Sequence, residues 1–281
     1  MKIKELLDKG EKQLTDKGKE SAKLEAMLLL SHLTGMDRTE LFISHENEVP
    51  DSVIESYLAL IEKRVEGIPL QHIVGSANFM GLEFKVSPDV LIPRPETELL
   101  VEEALKILTP DSRVLELCTG SGCIALSIMK LYPGVTMVAS DISPAAVHVA
   151  VENAEALEVP MGEGPGKIDF KIGDLFEHVY DKFDLIIVNP PYIRTDDIKN
   201  LEPEVKDHDP LMALDGGPDG LFFYRRLIYE AKNYLNPEGK LLLEIGYDQA
   251  PDITALAGDA YKNIKVIKDY SGNDRIMVME Q

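Results

Sequence analysis

The sequence predicts an α/β protein: a doubly wound sheet with a small N-terminal helical domain and a linking β-hairpin. Three observations carry this expectation. From about Thr97 onward, short apolar runs alternate with helix-patterned segments, the signature of strands crossed by helices on both faces. Up to Val65 the apolar residues recur only at helical spacing. Between the two, residues 72–87 approximate period-two alternation through Phe79, Leu82, Phe84 and Val86, which reads as a hairpin.

The helical part opens with Leu6, Leu7 and Leu14 on a sparse apolar face. Ser21 is expected to cap a second helix that runs through Leu33 and stops at Gly35. Asp37 with Glu40 three residues on has the form of a capping box. After Pro50-Asp51, Val53, Ile54, Tyr57, Leu58 and Ile61 mark a further helix, which Gly67-Ile68-Pro69 breaks. The domain boundaries read as 1–66 for the helical bundle, 67–95 for the hairpin linker and 96–281 for the α/β domain. In that domain, strands are expected at 114–117, 136–140, 168–172, 183–188 and 240–245, with weaker ones at 264–267 and 275–279. Helices are expected at 97–108, 124–131, 144–157 and 220–234. Residues 193–219 form a long polar insertion rich in Asp and Pro, of a kind that is usually functional or disordered, and are expected to hold a partner protein.

Composition narrows the class. The chain has 281 residues and a formal net charge of −20. Residues 1–65 hold 10 Lys+Arg against 13 Asp+Glu, so −17 falls on the rest. An acidic body is a poor match for bare DNA or RNA, where affinity comes from neutralising phosphates, and suits a basic protein partner. No charged-then-apolar leader or membrane-length apolar run is present, so a cytoplasmic protein is expected. The two cysteines, Cys118 and Cys123, sit in one short motif, which fits a reducing compartment better than a structural disulfide. The six histidines are scattered, and no metal site is expected.

The most informative residues are Asn189-Pro190-Pro191-Tyr192, which follow the apolar run 183–188. Two prolines donate no backbone hydrogen bonds and fix φ, and the first holds Asn189 extended. The result is a stiff edge of acceptors, the Asn189 side-chain oxygen and neighbouring carbonyls. Such an edge is suited to gripping an NH2 group by both hydrogens.

Other strand ends point to the same crevice. The first α/β strand runs into Glu116-Leu117-Cys118-Thr119-Gly120-Ser121-Gly122, after which a helix begins. Small residues there let a ligand approach the backbone. The second strand ends at Asp141, where a carboxylate binds the two hydroxyls of a ribose. The third ends at Asp174-Leu175, with Asp174 placed to accept from an adenine amino group and Leu175 to cover the ring. The G-x-G-x-x-G spacing of a dinucleotide site and the phosphate loop G-x-x-x-x-G-K-[ST] are both absent. Gly162-Glu163-Gly164-Pro165-Gly166 follows a helix and precedes a strand, the wrong order for a ligand cradle, and reads as a connection.

This series resembles the S-adenosylmethionine site of class I methyltransferases. The turn departs from the usual pattern, since Glu116 stands where Asp is common and Cys118 where Gly is common. Three further segments narrow the resemblance: 64–75, the Ile92-Pro93-Arg94-Pro95-Glu96-Thr97-Glu98 stretch, and Ala213-Leu214-Asp215-Gly216-Gly217-Pro218-Asp219-Gly220-Leu221. With the motifs above, the chain resembles the HemK/PrmC family of protein N5-glutamine methyltransferases over its whole length.

The resemblance implies a class I S-adenosylmethionine-dependent fold and methyl transfer to the glutamine amide in the Gly-Gly-Gln motif of class-1 peptide chain release factors. It implies Asn189, Pro190, Pro191 and Tyr192 as catalytic and substrate-binding residues. It implies Glu116, Cys118, Thr119, Gly120, Ser121, Gly122, Asp141, Asp174, Leu175 and Asn189 around S-adenosyl-L-methionine. A monomer is expected, with the helical domain recognising the substrate. Arg94 either touches substrate or cofactor, or pairs with Glu96 or Glu98. Three alternatives stay open: a glutamine methyltransferase acting on a ribosomal protein, an adenine-N6 methyltransferase on nucleic acid, and a cofactor-binding scaffold without activity. Asn-Pro-Pro-Tyr suits the adenine chemistry equally well, because adenine N6 is also a conjugated NH2.

Overall fold

The computed structural model describes residues 1–281 as two units, Met1–Gly75 with Pro203–His208, and Ser76–Glu202 with Asp209–Gln281. The first contains α1 (Ile3–Thr15), α2 (Ala22–Thr34), α3 (Arg38–Ile43), α4 (Asp51–Val65) and α5 (Leu70–Val74). Leu6, Leu14, Leu29, Leu30, Leu41, Tyr57 and Ile61 fill its core. Gly10 is required by packing: a Cβ there would sit 2.1 Å from Tyr57 Oη, whose hydroxyl donates to the Ala26 carbonyl at 3.1 Å. The Asp37–Glu40 capping box forms, each side chain accepting from the other residue's N–H at 2.8 Å. Ser21 precedes α2 without a side-chain cap bond, because its backbone is not in the extended conformation that aims a cap inward.

The hairpin is shorter than 72–87. Pro69 starts α5, which ends at Gly75 in the left-handed region, φ 76. Strands β1 (Ser76–Phe79) and β2 (Leu82–Lys85) then pair. Their Phe79 and Phe84 rings meet edge-on at 6.1 Å and join the core of the second unit.

That unit continues with α6 (Glu98–Leu105), β3 (Arg113–Leu117), α7 (Cys123–Leu131), β4 (Thr136–Asp141), α8 (Pro144–Ala156), β5 (Ile168–Ile172) and β6 (Phe183–Val188). The insertion folds into a 3-10 turn at Thr195–Asn200 and the short helices α9 (Pro203–Lys206) and α10 (Leu211–Leu214). Helix α9 belongs to the first unit, where Glu204 pairs with Lys19 and with Arg64. Arg64 also forks onto Glu25 at 2.8 and 3.0 Å, which satisfies a guanidinium only 4% exposed. The chain ends with α11 (Phe222–Ala231), β7 (Leu235–Glu244), α12 (Ala250–Ala257), β8 (Lys262–Lys268) and β9 (Asp274–Glu280).

The seven-stranded sheet has the order β5-β4-β3-β6-β7-β9-β8. Pairings from β5 through β7 are parallel, and β9 is antiparallel to both neighbours. Alternate strand residues feed opposite faces. Leu185 and Ile187 pack with α6, α7 and α8, whereas Ile186 and Val188 pack with α11 and α12. All five strong strands and both weak ones are present, with β7 beginning earlier than expected. No helix is long and apolar enough to cross a membrane.

Candidate active site

Strand order reverses beside β3, because β4 and β5 lie on one side of it and β6 and β7 on the other. In open α/β sheets the crevice at such a switch point, beyond the carboxyl ends of the strands, takes the ligand. Register makes the placement specific. Leu117 pairs with Val188 and with Ser140, and Asp141 pairs with Ile172. Cys118, Asp141, Gly173 and Asn189 therefore emerge along one edge.

A pocket opens there, lined by Cys118, Thr119, Gly120, Ser121, Asp141, Asp174, Leu175, Asn189 and Pro191 among others. Nine of the expected residues thus meet in one place. Asp89, Arg94, Ile142 and Phe223 also contribute to the wall. Three carboxylates against one guanidinium repel phosphates and favour a cationic ligand. The apolar Leu175, Ile142 and Phe223 suit a flat ring. These properties fit S-adenosylmethionine, a sulfonium with an amino group, ribose and adenine.

The loop after β3 is built from conformation. Gly120 and Gly122 have φ of 55 and 78, and Cys118 has φ 58. The last is a position where a side chain is strained by about 1–2 kcal/mol, and it coincides with the departure from Gly seen in the sequence. Leu175 is held likewise, at φ 53. Such residues persist where the surrounding structure overdetermines them. Asp141 supplies part of that: its Oδ2 accepts from Gly120 N–H and its Oδ1 from Ser143 N–H, both at 2.9 Å. Burial raises the Asp141 pKa against these bonds. Each oxygen keeps a second lone pair for a hydroxyl. Both cysteines are free, with burial pushing their thiols up.

Four expected residues stand behind the pocket wall. Glu116 is fully buried and points under the loop, where its carboxylate accepts from the Thr119 hydroxyl and takes a further backbone bond from Ala125. Burial pushes its pKa up to about 8. It props the turn and does not reach the pocket. Gly122 caps α7 and faces Ala150, 3.1 Å from where its Cβ would be. Pro190 is buried, and the Tyr192 hydroxyl turns inward to Glu244 Oε1 at 3.5 Å. Tyr192 therefore does not present its ring to the pocket.

Arg94 pairs with Asp209, and with neither Glu96 nor Glu98. The glycine-rich 213–221 segment cradles the tetrapeptide. A Cβ on Gly216 would sit 2.7 Å from Tyr192 Cα, and one on Gly220 would sit 2.5 Å from the Tyr192 carbonyl. Gln249 Nε2 donates to that same carbonyl at 3.0 Å. Sequence reasoning missed Thr97, Glu244 and Gln249. Asn189 Nδ2 donates to Thr97 Oγ1 at 3.3 Å, which leaves Oδ1 as the acceptor. The available signal for Glu244 was a carboxylate closing the apolar run of the fifth strand.

Residues 5–75 match the family model of the PrmC N-terminal domain, and residues 95–202 match that of the methyltransferase small domain. Among solved structures, a methyltransferase from Pyrococcus furiosus superposes with a TM-score of 0.54 at 22% identity, covering 71% of this chain and 89% of that one. A T. thermophilus rRNA methyltransferase in complex with AdoMet and guanosine gives 0.51 at 20% identity, over 73% of this chain and 49% of that one. These two show the fold, the doubly wound sheet of the class I methyltransferases. The curated relatives are far closer. The release factor glutamine methyltransferase of Geobacter sulfurreducens is 39% identical over 277 residues, 98% of this chain and 95% of that protein. Those of Thermodesulfovibrio yellowstonii and Clostridium acetobutylicum are 40% and 37% identical, over 92% and 99% of this chain and 92% and 98% of theirs. With 37–40% identity over nearly the full length of both chains, the chain belongs to the release factor glutamine methyltransferase family.

Proposed function

We propose that the chain transfers the methyl group of S-adenosylmethionine to the side-chain amide nitrogen of the glutamine in the Gly-Gly-Gln motif of class-1 peptide chain release factors. The observation that carries this is the Asn189 amide, whose NH2 is tied back to Thr97 while its oxygen remains the acceptor at the end of β6. The cofactor supplies an electrophilic sulfonium methyl. Everything else falls to the protein.

An amide nitrogen is a weak nucleophile because its lone pair is delocalised into the carbonyl. Asn189 Oδ1 and the main-chain carbonyl of Pro190, a residue whose ring packs behind the wall, would accept its two hydrogens, so that the nitrogen would pyramidalise and aim its lone pair at the methyl carbon. With the cofactor bound, the N–C bond would form as the S–C bond breaks and the sulfur keeps the electron pair as a neutral thioether. The proton leaves afterwards, from a nitrogen that has become cationic and acidic. Catalysis is positioning and electrostatic preorganisation. Asp141 would hold the ribose hydroxyls, Asp174 the adenine amino group, and Leu175 the ring face. Cys118, Thr119, Gly120 and Ser121 line the cofactor's side of the pocket. Glu116 and Gly122 hold the turn in shape, and Tyr192 anchors the tetrapeptide from behind.

The acidic body disfavours bare nucleic acid and favours a protein substrate. The N-terminal unit recognises that substrate, and the chain acts in the cytoplasm as a monomer without contacting nucleic acid directly. The test offers labelled S-adenosylmethionine with a release factor, a ribosomal protein fraction or duplex DNA. Label is expected on the release factor alone and is expected to vanish when its Gly-Gly-Gln glutamine becomes alanine. Label on DNA or on ribosomal protein alone overturns the reading.

A further inference from the structure

We propose that Thr97 and Glu244 form a positioning relay that fixes which way the Asn189 amide faces, and that methyl transfer depends on it. This rests on the function proposed above. Asn189 works only with Oδ1 toward the substrate nitrogen. With the amide turned over, its NH2 would meet the glutamine NH2, donor against donor.

Nothing in the covalent structure of Asn189 prevents that flip, so a neighbour must decide it. The neighbour is Thr97, 2% exposed, whose Oγ1 receives Asn189 Nδ2 at 3.3 Å. A hydroxyl is both donor and acceptor. It enforces the correct orientation only when its own proton is drawn elsewhere. Glu244, 2% exposed at the end of β7, draws it. The Thr97 hydroxyl acts on the Glu244 carboxyl as a donor that opposes the rise caused by burial. Glu244 Oε2 is buried without a hydrogen-bond partner, an open acceptor for that proton. On Oε1 the Tyr192 hydroxyl arrives at 3.5 Å. One carboxylate thus acts on two members of the site, on the Asn189 amide by way of Thr97 and on the Tyr192 hydroxyl directly.

The relay is sensitive to protonation. As a carboxylate, Glu244 accepts from Thr97, whose lone pair then faces Asn189 Nδ2. As an acid it no longer claims the Thr97 proton, and Thr97 is free to donate to a turned-over Asn189 Oδ1. Burial raises the Glu244 pKa to about 7, with Glu96 adding to the rise. Thr97, Arg275 and Tyr192 oppose it. Also facing it are the buried Cys123 thiol and Tyr224, whose hydroxyl donates to the Glu244 main-chain carbonyl at 2.8 Å. Activity should therefore rise with pH as Glu244 ionises.

The experiment measures single-turnover methyl transfer to a release factor from about pH 6 to about pH 9, together with S-adenosylmethionine affinity by calorimetry. Wild type, Thr97→Val, Thr97→Ser and Glu244→Gln are compared. Thr97→Val keeps the shape and removes the hydroxyl. Its rate is expected to drop roughly tenfold to a hundredfold, with cofactor affinity unchanged. Thr97→Ser restores most of the rate, which a packing role would not require. The wild-type rate rises through about pH 7 and the Glu244→Gln profile loses that rise. The relay is overturned if Thr97→Val transfers at the wild-type rate, if Thr97→Ser is as slow as Thr97→Val, or if Glu244→Gln keeps the wild-type profile. Should Thr97→Val fail to bind cofactor, Thr97→Ser and Glu244→Gln decide by the same criteria. A wild type that labels no release factor overturns the proposed function and the relay with it. An active wild type with unaltered variants overturns the relay alone.

Discussion

Arg226 Nη1 donates to both carboxylate oxygens of Asp174, at 2.9 Å each. The pair ties α11 to the turn after β5 and sets the rotamer of Asp174 at the pocket edge. A carboxylate has about four lone-pair sites, so the arginine leaves room for an adenine amino group. Its effect is to aim Asp174 before the ligand arrives.

Replacing Arg226 by Met keeps the aliphatic stem and removes the tether. Partly exposed ion pairs contribute about 0.2–1 kcal/mol, so the S-adenosylmethionine Kd is expected to rise by roughly twofold to fivefold. The methyl-transfer rate at saturating cofactor is expected to hold, because Arg226 does not line the pocket that holds Asn189. Titration calorimetry and a saturating rate measurement check both halves. Unchanged affinity would remove Asp174 preorganisation as the role of the pair.

Gly120 makes a second test. Its φ is 55, and an added Cβ would meet nothing within 4 Å. Space is therefore available and conformation is not. Gly120→Ala is expected to destabilise the protein by about 1–2 kcal/mol through left-handed strain. Relaxing that strain would pull the Gly120 N–H from Asp141 Oδ2, now 2.9 Å away, and weaken cofactor binding. Chemical denaturation and calorimetry together read the two effects. Equal stability with weaker binding would mean that the added methyl obstructs the ligand and strains nothing.

Most of the fold was legible because strand and helix periodicities differ. The runs at β3, β4, β5 and β6 are short, apolar and bounded by turn formers, so their existence and order followed directly. The ligand edge was legible for the same reason, since residues just past parallel strands in a doubly wound sheet must converge. Side-chain direction was not legible. Glu116 and Tyr192 sit in the right motifs but turn inward, because burial of a strand residue depends on which face it occupies within the sheet. Thr97 and Glu244 lie 92 and 55 residues from Asn189 in sequence, and only packing of α6 and β7 around β6 brings them to it. The glycines of 213–221 looked like a loop motif, and their close approach to Tyr192 is a tertiary fact. Ser21 failed as a cap because its own backbone conformation, which no pattern reports, aims the hydroxyl away.

Glu116 provides a prediction about stability against pH. Its carboxyl has no exposure, and burial lifts its pKa from 4.5 to about 8, against the bonds from Thr119 and Ala125. Between those two values the folded protein holds a proton that the unfolded chain has released. Stability therefore falls as pH rises through this window, by up to about 1.4 kcal/mol per pH unit for one proton. Below about pH 4.5 both states are protonated and the contribution is fully present; above about pH 8 it is lost. Glu116→Gln keeps an acceptor for Thr119 and Ala125 and removes the titration. Glu244 follows the same sign up to about pH 7, but it is common to both proteins and cancels in the difference. The stability of Glu116→Gln relative to wild type is thus expected to increase steadily from about pH 5 to about pH 8. Urea denaturation at matched ionic strength measures it. A difference that stays flat across this range would show that Glu116 is already ionised in the folded protein, with the orphaned Oε1 stabilised by the turn it supports.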